Sequence, residues 1–208
     1  MKTLGFRWEA VLGTVLLAAF LWFVTFYGFW SIFWVKISFS AVILAGISLW
    51  LTPRKKIRFG INVKSILIGL TSAAALYGLF WAGKILASTV FSFAPNQIGA
   101  IYGKGDGTPL WIIFLLLFFV TGPCEEIYWR GYLQRHLMGR FGNWQGWILA
   151  TVVYAGVHIW SLNFMLIGAA GVAGAFWGGL YWRLNNLTPV IISHSIWSAV
   201  IFALFPIS

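Results

Sequence analysis

Charge is what this chain lacks most. Of its 208 residues only 9% are charged, against about 25% in a soluble domain. So few charges cannot cover a water-facing surface, and a 61% hydrophobic composition leaves lipid as the surrounding solvent. Acids are scarcer still, 4 against 14 Lys and Arg, for a net charge of +10. In a soluble protein that excess would point to nucleic acid. Here it fits the retention of Lys and Arg in cytoplasmic loops, so nucleic acid is not an expected partner. One cysteine, Cys124, excludes an intrachain disulfide. No cleavable leader is expected, because the apolar run after Met1–Arg7 is too long and lacks a small-residue cleavage site.

Long apolar runs are what the chain has instead. They cover about 10–30, 32–51, 65–93, 109–138, 143–160, 161–182 and 189–205. Crossing the hydrocarbon takes about 20 residues, so the expected fold is an all-α polytopic transmembrane bundle of seven spans. Gly122-Pro123 interrupts the fourth run, and a break there would make eight, with Glu125 and Glu126 in the first turn of a new helix. Early in the second run, Lys36 is expected to snorkel to the interface. The basic cluster at 53–58 reads as a cytoplasmic loop. Lys2, Arg7, Arg135, Arg140 and Arg183 fall on the same side if the N-terminus is cytoplasmic and the protein lies in the cell membrane. In the sixth run Gly171, Ala175 and Gly179, and likewise Gly174 and Gly178, recur every four residues, which favours close helix packing.

An ionisable group inside a bilayer is a functional hypothesis by default. Glu125 and Glu126 are adjacent, and Arg130 lies four residues beyond Glu126, on the same helical face. Glu126 is therefore expected to pair with Arg130. Glu125, turned about 100° away, is left to face a polar cavity. On these three residues alone, a structural clamp and a catalytic site are equally good readings. Two further pairs favour chemistry: Tyr154 with His158 in the fifth run, and His194 with Ser198 in the seventh, each spaced by four. His136 reads as an interfacial residue.

Together these motifs resemble the CAAX-protease and bacteriocin-processing family of intramembrane endopeptidases, also called the type II CAAX prenyl endopeptidase-like or ABI family. The family's Glu-Glu-x-x-x-Arg is matched by Glu125, Glu126 and Arg130, its aromatic-x-x-x-His by Tyr154 and His158, and its final His by His194. The family's usual Asn four residues after that His is Ser198 here. The resemblance covers about 109–205, within a catalytic core of 109–208, while the helices of 1–108 carry no family motif within what reads as one compact membrane domain. It implies an endopeptidase in which Glu125 and His158 activate water. His194 and Ser198 would stabilise the oxyanion, with Glu126, Arg130 and Tyr154 in support. The implied partners are the bilayer and a membrane-associated protein or peptide, cut near a C-terminal tail or a leader. No cofactor is implied. A zinc-dependent version would use Glu125, His158 and His194 as ligands. A Cys124 nucleophile based by His158 is a weaker alternative. A non-enzymatic one is an immunity protein, scaffold or proton-coupled transporter. The site is expected between the cytoplasmic half and the midplane.

Overall fold

The computed structural model describes residues 8–52 and 57–207. Lys2, Arg7 and the Arg54, Lys55 and Lys56 part of the basic cluster lie outside them. Among the described residues every regular element is helical. The elements are α1 (Trp8–Tyr27), α2 (Phe33–Leu51), α3 (Val63–Val90), α4 (Ala94–Tyr102), α5 (Leu110–Phe141), α6 (Asn143–Val157), α7 (Phe164–Leu184) and α8 (Leu187–Leu204).

Six of these, all but α4 and α6, are long and apolar enough to cross a membrane. The fifth apolar run is the shorter case. It forms the 15-residue α6, prolonged by a tight 3₁₀ turn at His158–Ser161. Rising about 22 Å and about 8 Å, the two parts together span the roughly 30 Å of hydrocarbon. Lipid-facing side chains such as Leu16, Phe20, Leu67 and Val152 remain exposed, as helices apolar all round require when only one face meets protein.

The expected break at Gly122-Pro123 does not occur. Thr121 and Gly122 keep right-handed helical dihedrals, and α5 runs on for 32 residues. Proline lacks an amide hydrogen and crowds the carbonyl of the preceding turn. The helix answers by widening to π winding over Leu116–Thr121 just before it, and again over Ile127–Gln134. Glu125 and Glu126 thus sit mid-helix rather than at a helix N-terminus, and no eighth span arises from this segment.

Polar pairs fix the helices to one another. The hydroxyls of Thr25 and Ser40 join α1 to α2 at 3.0 Å, and those of Ser38 and Thr121 join α2 to α5 at 2.8 Å. The Lys36 side chain reaches from α2 to the α1–α2 connection. It is buried, and its ammonium donates to the Gly28 carbonyl at 2.6 Å, meeting the negative C-terminal end of α1. Asn186 caps α8 and also bonds both backbone groups of Gly60, holding the 57–62 segment against the bundle.

Glycines set the closest approaches. A Cβ on Gly146 would overlap the Met138 backbone, one on Gly69 would lie 2.6 Å from Ile192, and one on Gly174 would lie 2.8 Å from the Tyr154 ring. On α7 the small-residue stripe also bares backbone carbonyls. Gly174, Ala175 and Gly178 accept from Arg130, Trp147 and Gln134 respectively. That stripe brings α7 against both α5, which bears the acidic pair, and α6, which bears Tyr154 and leads into His158.

Candidate active site

Glu126 is wholly buried, and one of its oxygens, Oε1, accepts from Arg130 Nη1 at 2.7 Å and from His194 Nδ1 at 2.6 Å. The clamp therefore joins α5 to α8 as well as closing on its own helix. Arg130 also donates to the Gly174 carbonyl and lies 4.8 Å from the Tyr154 ring centroid and 5.5 Å from that of Trp177. A buried guanidinium is tolerated when it is ion-paired, hydrogen-bonded and stacked on aromatic faces, and Arg130 has all three.

Glu125 is held differently. Its Oε2 accepts from the Tyr154 hydroxyl at 3.1 Å. One turn further along, His158 Nδ1 lies 2.8 Å from the Tyr154 carbonyl. A carbonyl only accepts, so Nδ1 carries the hydrogen. Tyr154 thus orients both Glu125, through its hydroxyl, and His158, through its backbone. His194 stacks on Trp177 with centroids 3.9 Å apart and planes 17° from parallel. Ser198 Oγ donates back to the His194 carbonyl at 2.8 Å, the ordinary arrangement for a helical serine.

A cavity of about 380 Å³ gathers these groups. Glu125, Tyr154, His158, His194 and Ser198 line it, and Glu126 and Arg130 stand behind it. Cys124 is not in its wall, so the cavity does not join this thiol to His158. Nor does His136 line it; that ring bonds the Tyr132 carbonyl at 2.7 Å. Among the described residues no three His, Cys, Asp or Glu side chains are grouped so that they could hold a metal ion.

The position of the cavity corrects an expectation. Its wall is built from the middle and one end of the bundle, the end to which Phe26, Phe33, Lys84, Tyr102 and Phe164 belong. That end holds the α1–α2, α4 and α6–α7 connections. Arg58, Lys64, Arg140 and Arg183 lie at the other end. The site therefore occupies the middle and the half away from the basic residues, not the basic half. Glu125 falls midway along α5, whereas His158 opens the turn that follows α6.

Two wall residues were not legible in the sequence as part of the site. Trp177 supplies the stacking face for His194. Trp22 of α1, fully buried, donates its indole N–H to His158 Nε2 at 3.3 Å. A buried Trp in an apolar run gives no sign of which ring it will meet 136 positions away.

Residues 107–200 match the sequence model of the Rce1-like family, type II CAAX prenyl endopeptidase Rce1-like. Over that segment the chain is similar to the CAAX-protease family. The match supports a general assignment at family level, to intramembrane proteases that act on peptides, and the six long apolar helices fit a multi-pass membrane protein. No curated protein and no solved structure is a significant match. The family match contains Glu125, Glu126, Arg130, Tyr154, His158, His194 and Ser198, and leaves α1 to α4 outside it.

Proposed function

We propose that the protein is a glutamate-type intramembrane endopeptidase that cuts a membrane-associated protein or peptide near one of its ends, using water activated by Glu125 and His158. The observation that carries this reading is the convergence of Glu125, His158 and His194 on one cavity, with Glu126 and Arg130 withdrawn behind it.

The chemistry follows from the partners already described. Glu125 is the acceptor for a proton from water; the Tyr154 hydroxyl fixes its carboxylate, leaving the other oxygen for that water. The water attacks the peptide carbonyl and a tetrahedral oxyanion forms. His194 faces that oxyanion. With Nδ1 donating to Glu126, Nε2 is the ring nitrogen left for the cavity, and it meets the oxyanion as a second N–H donor, the ring acting as an imidazolium paired with Glu126. Glu125 then delivers its proton to the departing amine, so the step closes with no covalent enzyme intermediate. Glu126 and Arg130 hold His194 and the Tyr154 ring in register.

Ser198 is the weak member. Its hydrogen is committed to the His194 carbonyl, and it reaches less far than the amide usual in the family. Residues 109–208 carry the reacting groups in this reading, and residues 1–108 complete the cavity wall. The N-terminus is cytoplasmic in the cell membrane, so the cavity opens toward the outer face.

The test uses protein reconstituted in liposomes with a quenched fluorescent lipopeptide library. Glu125→Gln should lower cleavage by about 100- to 10,000-fold without altering expression or thermal stability. Equal cleavage by native protein, Glu125→Gln and His194→Ala would refute the protease reading and leave a binding or transport role.

A further inference from the structure

His158 is held on both ring nitrogens. Nδ1 faces the Tyr154 carbonyl at 2.8 Å, and Nε2 faces the Trp22 indole nitrogen at 3.3 Å. Indole N–H is a donor only, and a carbonyl is an acceptor only. The two bonds are compatible with one state of the ring: neutral, with its hydrogen on Nδ1 and its lone pair on Nε2. Any other state would set two hydrogens, or two lone pairs, face to face.

We propose that Trp22 is a positioning residue for His158, and that its indole N–H holds the Nε2 lone pair in place and releases it to the attacking water. The proposal rests on the reading of His158 as a water-activating ring. Three further observations support it. Trp22 is fully buried, so its N–H has no bulk water as an alternative partner. It packs edge-on against both His158, at 5.9 Å, and Trp129, at 5.6 Å, which fixes the indole plane. Trp22 also lines the same cavity as Glu125 and His158, so an entering water meets the N–H and the lone pair together. Water placed between them accepts from the indole and donates to Nε2, its two roles in one geometry. The catalytic core matched by the family thus depends on a residue of α1, outside the matched segment.

Two variants separate this role from packing. Trp22→Phe keeps an aromatic ring against Trp129, and Trp22→benzothienylalanine keeps the bicyclic shape while removing only the N–H. The first measurement is nitrogen NMR on protein in nanodiscs, labelled at histidine and tryptophan, with His158→Gln for assignment. The native chain should give a protonated Nδ1, an unprotonated Nε2 and a nitrogen–nitrogen coupling from Nε2 to an indole. Both variants should lose that coupling, and the Nε2 resonance should move to that of a free lone pair. A hydrogen on Nε2 in the native chain, or an Nε2 resonance the variants leave unmoved, overturns the proposal. The second measurement is cleavage of the lipopeptide library. Both variants should lower kcat about tenfold with KM unchanged, the size of one neutral hydrogen bond. An unchanged kcat in the benzothienylalanine variant overturns it as well. If the native protein cleaves no member of the library, the protease reading fails, while the NMR result still decides whether Trp22 holds His158.

Discussion

At the residue scale, the two adjacent glutamates are held differently because their neighbours differ. Glu126 meets two nitrogen donors on one oxygen, whereas Glu125 meets a single phenol. Spacing made the Glu126–Arg130 contact legible in advance, since four residues on a helix bring side chains together. The His194 contact was not legible, because nothing in local sequence ties α5 to α8. Removing Arg130 would strand a buried carboxylate. Arg130→Met should therefore destabilise the fold by about 3–5 kcal/mol, measurable as a lowered unfolding transition in detergent. A loss below about 1 kcal/mol would mean that His194 alone satisfies Glu126. Ser198 invites the opposite change. Its hydroxyl turns back on its own helix, so an amide in its place would add a donor the cavity lacks. Ser198→Asn should raise kcat at least several-fold, on the scale that single oxyanion donors carry. A kcat equal to that of the native enzyme would show that His194 suffices.

At the scale of elements, the apolar runs located the helices to within a few residues because lipid imposes a length that composition reveals directly. The mistaken break at Gly122-Pro123 has a physical cause. Proline rules describe a helix with fixed winding, and α5 changes its winding instead, to π form on either side of the acidic pair. The stripe on α7 was readable as close packing, though not which contacts it serves. Gly174 admits the Tyr154 ring on one side and offers its carbonyl to Arg130 on another. A methyl group there would lie 2.8 Å from the Tyr154 ring and force it away. Since Tyr154 holds both Glu125 and His158, Gly174→Ala should cost activity beyond its effect on stability. Overpacking of this kind destabilises by about 1–3 kcal/mol. Cleavage assayed well below the unfolding temperature should still fall at least tenfold if the displaced hydroxyl matters. Activity that simply tracks the folded fraction would reduce Gly174 to a packing residue.

At the scale of the whole molecule, the decisive asymmetry is between the two ends of the bundle. Arg58, Lys64, Arg140 and Arg183 lie at the end away from the cavity. At the cavity end Lys36 is spent on the Gly28 carbonyl, and Lys104 rests over the rings of Phe26 and Phe33, at 5.6 and 5.5 Å. Positive charge resists translocation, so the cavity should open outward and its substrate should present the scissile bond from the outer leaflet. Charge counting along the chain leads to the same expected orientation. The depth of the site escaped it, because the midpoint of α5 and the end of α6 share a level only once the helices are packed. The exposed Phe29, in the α1–α2 connection, and Gly139, near the other end of α5, provide reporters. In a Cys124→Ala background, Phe29→Cys in intact cells should react with a membrane-impermeant thiol reagent, and Gly139→Cys should react only after lysis. The reverse pattern would turn the cavity to the cytoplasm and make an intracellular tail the substrate to seek. The expected pattern restricts the search to peptides that have already crossed the membrane.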